Sequence, residues 1–298
     1  MIDVAVVGSL HLDIVVDAPR LPMRDETLMG QSWFYKCGGK GGNQAVAAAR
    51  LGARTAFGGQ TGADDFGERL RANLVAAGVD IGCLDRDPAH GSGMSVAISE
   101  ASGEYGAVVV SGSNRTIDVA TVSSRWAALW SCKVLVLQNE VPEEVNLLAA
   151  RLARESGARI VLNAAPAREL SPALLDLVDI LVVNRIEARM LSGMSKPEAA
   201  AQALHSLSRD VVVTLGGEGL LFMPRCGAMS RIEALKVNMI SSHGAGDFFC
   251  GALAARLVAG GDLPSALRFA SAAAALLVST PVGGQAEITA ASVARLMV

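Results

Sequence analysis

The sequence predicts an α/β protein built on a mostly parallel sheet whose two faces are covered by helices. Short apolar runs alternate along the chain with longer segments in which apolar residues recur at helical spacing. Strands separated by helices are typical of βαβ units, in which successive strands run parallel. The composition agrees, because the chain is 51% hydrophobic and only 4% aromatic, and small side chains let helices pack closely on a sheet.

The elements follow one another in a regular order. The expected buried strands are residues 4–7, 55–58, 134–137, 160–162, 180–183 and 211–214. The expected helices are residues 42–51, 66–77, 143–155, 197–207, 247–258 and 263–278. Ligands of such sheets bind outside the carboxyl ends of the strands, so candidate site residues are sought there.

Two segments break this alternation, residues 11–36 and 91–112. Both alternate apolar and polar residues and carry turn residues, a pattern that predicts a small antiparallel sheet. Such a sheet could close over a site or pair with another subunit. A length of 298 residues allows two domains, or one large α/β domain with an attachment. We predict a single domain over residues 1–298, with these two segments forming its lid.

Charge and cysteine usage exclude several classes of function. The net charge is −3 and no basic run appears, so we expect no nucleic-acid partner. The five cysteines form no C-x-x-C pair, which argues against a disulfide framework or a zinc cage and fits the cytoplasm. The first residues resemble a strand rather than a signal peptide. No apolar run reaches the ~18 residues of a membrane helix, so we expect no membrane association.

The most informative segment is residues 240–252. Gly244, Ala245 and Gly246 predict a tight turn that opens a helix, whose first N–H groups and dipole attract an anion. Asp247 follows in the first helical turn. A carboxylate there binds phosphate poorly, but it can take a proton from a hydroxyl while the amides stabilise a transferring phosphoryl group. The segment therefore indicates a kinase of small hydroxyl compounds with Asp247 as base. An ordinary helix cap is the alternative.

A second glycine-rich segment covers residues 37–52. Four of the five residues at 38–42 are glycine, which allows the backbone to approach a ligand closely. Asn43 offers both a donor and an acceptor, which suits vicinal hydroxyls. The spacing of a Walker A loop is absent, and so is the dinucleotide-binding G-x-G-x-x-G pattern. The alternative is a flexible loop with a glycine-rich helix cap.

Polar residues also follow two later strands. Asn184 and Glu187 lie three residues apart, so they can hold magnesium through its waters or form a helix-capping box. Thr214, Gly216 and Gly219 end another strand and provide flat backbone along which a nucleotide could lie. Glycine-rich turns after strands are common, so this second pattern is weak alone.

Two acids and two histidines complete the candidates. Asp13 and Glu140 each follow apolar runs at expected strand ends, where carboxylates can bind sugar hydroxyls; taken singly, each is more often a solvated acid. His11 and His243 fall inside motifs, but neither is given a catalytic role. The four histidines are far apart in sequence and do not suggest a metal set.

Taken together and in this order, these segments resemble the ribokinase-like (PfkB) carbohydrate kinase family. The resemblance covers nearly the whole chain and rests on residues 38–43 (GGKGGN), 184–187 (NRIE) and 244–247 (GAGD). Residues 138–140 (QNE), 163–170 (NAAPAREL) and 268–275 (RFASAAAA) resemble the ribokinase branch of the family. The resemblance implies a doubly wound, mostly parallel α/β sheet flanked by helices, with a small β-sheet lid that often serves as the dimer interface.

The resemblance also implies ATP and Mg²⁺ as cofactors and a role for each site residue. Asp247 would take the proton of the sugar's primary hydroxyl beside an anion hole of the amides of Gly244, Ala245 and Gly246. The residues implied to bind the sugar are His11, Asp13, Gly39, Lys40, Gly41, Asn43, Glu140 and Asp247. Those implied to bind the nucleotide are Asn184 at the phosphates, Gly246, Thr214, Gly216, Gly219, and Ser271 near the base. Glu187 would support the magnesium ion.

Three departures from the family pattern bear on the function. Residues 241–243 read Ser-Ser-His where Asp and Thr usually stand, which removes the charge that helps bind a monovalent cation. Glu287 could restore that charge, so activation by potassium stays open. His11 replaces the usual Asn and, being larger, could alter which sugar fits. Gly42 stands where Ala is common.

We therefore expect ATP-dependent phosphorylation of the primary hydroxyl of a pentose, D-ribose to ribose 5-phosphate. A kinase of another sugar, a sugar acid or a nucleoside on the same scaffold is the first alternative. A catalytically silent regulator that binds sugar or nucleotide is the second.

Overall fold

The computed structural model describes residues 2–100, 105–205 and 210–297. They form a nine-stranded sheet flanked by helices and a separate four-stranded sheet. This architecture confirms the predicted fold class. Within the described residues, no helix combines the length and the hydropathy that a membrane span requires.

The strands, in chain order, are β1 (Val4–Val7), β2 (His11–Ala18), β3 (Ser32–Gly38), β4 (Thr55–Gly62), β5 (Asp80–Asp87), β6 (Met94–Glu100), β7 (Tyr105–Val110), β8 (Val134–Gln138), β9 (Arg159–Asn163), β10 (Ile180–Asn184), β11 (Asp210–Thr214), β12 (Leu220–Met223) and β13 (Ser230–Ile232). The helices are α1 (Lys40–Arg50), α2 (Asp65–Ala76), α3 (Val119–Arg125), α4 (Glu143–Glu155), α5 (Pro172–Leu175), α6 (Arg185–Ser192), α7 (Pro197–His205), α8 (Ala245–Val258), α9 (Leu263–Val278) and α10 (Ala290–Leu296).

The large sheet has the order β13-β12-β11-β10-β9-β8-β1-β4-β5 and is parallel except for its last two strands, β12 and β13. From β1 the chain builds outward through β4 and β5, and from β8 it builds outward in the other direction. The strand order therefore reverses between β1 and β8. Ligands bind at such a switch point, in the crevice outside the strand ends, which directs attention to residues 8–10 and 138–140.

The core lies on both faces of this sheet, as alternation along β1 shows. Val4 and Val6 belong to one buried cluster with α1, α8 and α9, whereas Ala5 and Val7 belong to another with α4 and α7. Each valine of this kind contributes about 1.5–3 kcal/mol when it is fully buried. A strand buried on both faces has no polar alternation, which is why its sequence is a continuous apolar run.

The small sheet has the order β3-β2-β6-β7. Its two outer pairs are antiparallel, but β2 and β6 run parallel, so the prediction of an antiparallel sheet was wrong at its centre. The reason lies in the strands that precede them. Strand β2 follows β1 and strand β6 follows β5, and β1 and β5 both belong to the large sheet. Both strands therefore leave the large sheet at the same edge and run in the same direction. The register places Asp13 opposite Lys36 and Ser95, so these three side chains share one face.

Several boundaries differ from the prediction. Helix α1 begins at Lys40 and α8 at Ala245, each two residues earlier than expected, so both glycine-rich motifs open helices rather than precede them. The last two residues of the expected helix 197–207 lie outside the described residues. The expected helices 143–155 and 263–278 have the predicted bounds.

Candidate active site

The amino ends of α1 and α8 meet at the switch point of the large sheet. Between them lies a cleft of about 190 Å³. Its lining residues are Lys40, Asn163, Ala165, Val182, Asn184, Glu187, Thr214, Ser242, Gly244, Ala245, Gly246 and Asp247. A larger cavity of about 310 Å³ is lined mainly by leucines, with Arg168 and Glu169. Because three ionisable side chains meet only in the smaller cleft of the two, we place the chemistry there.

The Asp247 carboxylate is half-buried and held by two amides from α1. Its Oδ2 accepts a hydrogen bond from Asn43 Nδ2 at 2.9 Å, and its Oδ1 accepts one from Gln44 Nε2 at 3.1 Å. Burial raises the pKa of Asp247, while the Lys40 ammonium and the two amide donors oppose that rise. The result is a fixed carboxylate that is readier to accept a proton than a solvated one.

The first residues of α8 provide free donors beside this carboxylate. Gly244 has φ 82°, in the left-handed region that glycine adopts without strain, and it turns the chain into the helix. The amide of Ala245 donates to Ser242 O at 3.3 Å. The amides of Gly246 and Asp247 have no acceptor among the described residues. The helix therefore offers these N–H groups and its dipole to an anion in the cleft.

Lys40 begins α1 and lies among the carboxylates. The preceding Gly39 has φ 86°, and a Cβ there would lie 2.7 Å from His11 N, so only glycine permits this close approach. Burial lowers the pKa of Lys40, but attraction to Asp247, Glu140 and Glu187 outweighs that effect and the net shift is upward. Lys40 therefore stays cationic and neutralises part of the site's negative charge.

Glu140 follows β8 and ties three elements together. Its Oε2 accepts from Lys40 N at 2.9 Å and from the Ser9 hydroxyl. His11 is buried, with its Nδ1 3.9 Å from the same oxygen. On the other side, Asn114 Nδ2 lies 3.5 Å from His11 Nε2. These contacts place the Glu140 carboxylate and the His11 imidazole side by side where β2 of the small sheet begins.

Asp13 lies inside β2, not at a strand end as predicted, because β2 begins at His11. Its Oδ1 accepts from Ser95 Oγ at 2.6 Å, across the parallel pair β2–β6. Half-buried Lys36 stands opposite on β3. The small sheet thus presents a carboxylate and an ammonium on one face.

Asn184 and Glu187 form the capping box of α6, the alternative that the sequence left open. Asn184 Oδ1 accepts from the amides of Ile186 and Glu187, and Glu187 Oε2 accepts from Asn184 N at 2.8 Å. Both residues also line the cleft. Burial raises the pKa of Glu187, and the Asn184 N–H and Lys40 oppose the rise. Glu187 Oε1 forms no hydrogen bond within the described part of the chain, so it is available to a cation or its water.

The comparisons with known proteins now decide the family. A sequence profile described as pfkB family carbohydrate kinase matches residues 1–289. The chain belongs to this family. It is therefore a kinase that transfers phosphate to a sugar hydroxyl.

Named relatives and solved structures agree with this assignment. The chain is 35% identical to a ribokinase of Haemophilus influenzae over 289 residues, covering 95% of this chain and 94% of that protein. It is 31% identical to a deoxyribokinase of Salmonella typhi over 284 residues, covering 93% and 92%. The Arabidopsis thaliana ribokinase complexed with ribose and ATP superposes with a TM-score of 0.90 at 27% identity, covering 99% and 98%.

The expected site residues of this carbohydrate kinase divide into three groups. Those lining the cleft are Lys40, Asn184, Glu187, Thr214, Gly244, Ala245, Gly246 and Asp247. Those packed around it are His11, Asp13, Gly39, Gly41, Asn43 and Glu140. The remaining three are not among the lining residues: Gly216 is exposed after β11, Gly219 is buried against β13, and Ser271 is half-buried on α9.

The structure also places around the cleft residues that the sequence did not single out. Gln44 contacts Asp247 directly, and Asn163 lies next to Gln44. Ser9 and Ser95 donate hydrogen bonds to Glu140 and Asp13. Gln44 adjoins Asn43 on a helix already predicted, so its position was knowable, but nothing in the pattern shows which way a helical side chain faces.

Proposed function

We propose that the chain transfers the γ-phosphoryl group of ATP to the primary hydroxyl of D-ribose, giving ribose 5-phosphate. The observation that carries the proposal is the Asp247 carboxylate, fixed by Asn43 and Gln44 beside the free amides that open α8. Relatives named ribokinase across nearly the whole chain support the choice of sugar, as does the likeness to a ribokinase complexed with ribose and ATP.

In the proposed reaction Asp247 takes the proton of the hydroxyl. The hydroxyl oxygen forms a bond to the γ-phosphorus, and the bond between that phosphorus and the β–γ bridging oxygen breaks. ADP leaves with the electron pair, and the proton passes from the Asp247 carboxyl to solvent. The amides of Gly246 and Asp247, with that of Gly244, stabilise the charge on the transferring group, and Ala245 N shares its donor with the turn. General base catalysis of this kind supplies about 10²–10⁴-fold.

The sugar lies, in this proposal, between the amino end of α1 and the small sheet. Asp13 and Glu140 accept from its hydroxyls, while Asn43 and Lys40 donate. His11 closes the side next to Glu140. A site that pairs several hydroxyls rejects an analogue lacking one, because a buried polar group would then stay unpaired. Gly39 and Gly41 keep the backbone close to the sugar.

The nucleotide lies, in this proposal, along the ends of β10 and β11. Asn184 contacts its phosphates, and Thr214, Gly216 and Gly219 border the adenine nucleotide, with Ser271 near the base. No group of three or more metal-binding side chains occurs among the described residues, so Mg²⁺ would be held by phosphates and water with Glu187 in support, as is common for this ion. Bound there, Mg²⁺ neutralises the charge of the phosphates.

In this proposal the small sheet, with residues 11–36 and 91–112, forms a lid over the site and also pairs two subunits. Both faces of its outer strands expose large apolar side chains: Trp33, Phe34, Val108, Val109 and Val110. Apolar patches of this kind mark interaction surfaces, and a second copy would cover them. A lid excludes water and limits wasteful hydrolysis of ATP. A cytoplasmic location stays a prediction from the cysteine pattern.

A panel of acceptors tests the proposal. ADP release is measured with ATP and Mg²⁺ over ribose, 2-deoxyribose, other pentoses, sugar acids and nucleosides. The proposal predicts the highest kcat/KM for ribose. A higher value for 2-deoxyribose would assign the chain to the second sugar named among its relatives, and one for a nucleoside or sugar acid would reject a pentose. Binding of sugar and nucleotide without product would instead support a silent regulator.

Running the same panel with and without potassium tests whether a monovalent cation activates the enzyme. Ser241 is neutral, and its amide donates to Val278 O at 3.2 Å. Glu287 is exposed in the turn Val282–Glu287. If Glu287 replaces the missing charge, potassium raises the kcat of the wild-type protein and Glu287→Gln removes that increase. If it does not, potassium has the same effect on kcat in the wild-type protein and in Glu287→Gln.

A further inference from the structure

Three buried amides, Gln44, Asn163 and Gln138, form a hydrogen-bonded network that contacts Asp247. Gln44 Nε2 donates to Asp247 Oδ1 at 3.1 Å and to Asn163 Oδ1 at 3.2 Å. Gln44 Oε1 in turn accepts from Gln138 Nε2 at 2.8 Å. Gln44 and Gln138 are both 0% exposed. Because neither side chain is exposed, neither is placed to touch sugar or nucleotide.

The hydrogen bonds fix the direction of the Gln44 and Asn163 amides, each of which is bonded through both its nitrogen and its oxygen. Because Gln44 Oε1 accepts from Gln138, its nitrogen must face Asp247 and Asn163. Asn163 Nδ2 donates to Val182 O at 3.3 Å, so the oxygen of Asn163 faces Gln44. A flipped Gln44 would set oxygen against the carboxylate and against Asn163 Oδ1, leaving buried acceptors without donors. Gln44 therefore has one orientation.

We propose that Gln44 is a positioning residue for phosphoryl transfer: locked by Gln138 and Asn163, it holds the Asp247 carboxylate in the rotation from which it accepts the hydroxyl proton. The inference rests on the proposed role of Asp247 as base. Asn43 holds the other carboxylate oxygen and is itself placed to bind the sugar. Gln44 thus fixes the carboxylate even when sugar draws on Asn43.

The electrostatic consequence has a definite sign. The ionisable groups that act on the Asp247 carboxylate are Lys40 from α1, Glu140 after β8, Glu187 from α6 and Cys250 on its own helix. The Gln44 donor lowers the pKa of Asp247 against the effect of burial. Loss of the donor raises that pKa, so the acid limb of the kcat profile moves to higher pH.

A purely structural role for the amides predicts something different. If Gln44 only filled a buried polar gap, its loss would lower stability and leave kcat at saturating substrate unchanged. A positioning role predicts a fall in kcat with KM for ribose and for ATP nearly unchanged, because Gln44 touches neither. A hydrogen bond to a charged group is worth about 1.5–3 kcal/mol, which corresponds to roughly 10- to 100-fold in kcat.

The test compares Gln44→Met with Gln60→Met. Gln60 is a matched control because it is also buried and its Nε2 donates to a carboxylate, Asp87 Oδ2, at 2.9 Å. Gln44→Met should lower kcat by about 10- to 100-fold and move the acid limb of the kcat profile to higher pH. Gln60→Met should lower only the melting temperature. Gln138→Met keeps the Gln44 donor but removes the hydrogen bond that orients it, so this variant should lower kcat by less than Gln44→Met does. If Gln44→Met does not fold, Gln138→Met provides the test instead.

The outcomes separate this inference from the proposed function. Wild-type kcat and an unmoved acid limb in Gln44→Met, with Asp247→Asn inactive, would overturn the inference alone. An equal loss of kcat in Gln60→Met would overturn it as well, because the loss would then follow stability. Wild-type turnover in Asp247→Asn would remove the proposed function together with everything that rests on it.

Discussion

Replacing Gly246 by alanine should stabilise the protein and inactivate it together. Gly246 has an ordinary helical backbone, and a Cβ built there meets no atom within 4 Å. Alanine is favoured over glycine inside a helix by about 0.5–1 kcal/mol, so the free energy of unfolding should rise by about that amount. Yet Gly246 lines the cleft, so the added methyl group lies close to the amide that would receive the phosphoryl group. The N–H itself remains, but a methyl group that keeps the phosphoryl group from it should cost about as much as the loss of one such donor, about 10²–10³-fold in kcat.

Gly244→Ala provides the contrast, because its φ of 82° costs an alanine about 1–2 kcal/mol. Thermal melts and ADP-release kinetics on both variants measure the two effects separately. We expect opposite shifts in melting temperature and a fall in kcat for both. Wild-type kcat in a stabilised Gly246→Ala protein would refute the anion hole at this helix.

Three further outcomes follow from other contacts. Lys40→Met removes a cation that lowers the pKa of Asp247, so the acid limb of the kcat profile should move to higher pH; an unmoved limb would contradict this electrostatic coupling. Burial alone would raise the pKa of Asp87, but hydrogen bonds led by that of Thr116 hold it far below its usual range. The stability gained exists above the unfolded value of about 3.9 and is lost as pH falls below it. Asp87→Asn should therefore be less stable at pH 7 and lose less on acidification, which unfolding curves at pH 7 and pH 3 would show. Val109 is 60% exposed on the small sheet, where the proposed dimer interface would cover it. Light scattering should therefore show a dimer for the wild-type protein and a monomer for Val109→Lys. A monomeric wild-type protein would reject that interface.

The fold was predictable where burial leaves a regular pattern. The strands β1, β8 and β10 are apolar on both faces, so their positions could be assigned from hydrophobicity alone. Strand β5 was missed because its sequence, Asp80–Asp87, carries several charged residues at the edge of the sheet. The parallel pairing of β2 with β6 was also missed, since pairing direction depends on where the chain leaves the large sheet and not on local alternation.

The candidate site was predictable only in part. The motifs located Asp247, Asn43 and Lys40 because glycine-rich turns and strand ends are visible in sequence. Their mutual contacts join residues about 200 positions apart, which no local pattern reveals. Gln44 shows the limit most clearly, because its role depends on partners contributed by β8 and β9.

The most direct test of the central claim is the turnover of Asp247→Asn with ribose, ATP and Mg²⁺, measured beside its affinity for ADP. Asparagine keeps the shape of the side chain but cannot take the proton. We predict a loss of about 10²–10⁴-fold in kcat with ADP affinity close to that of the wild type. Turnover at the wild-type rate would contradict the account.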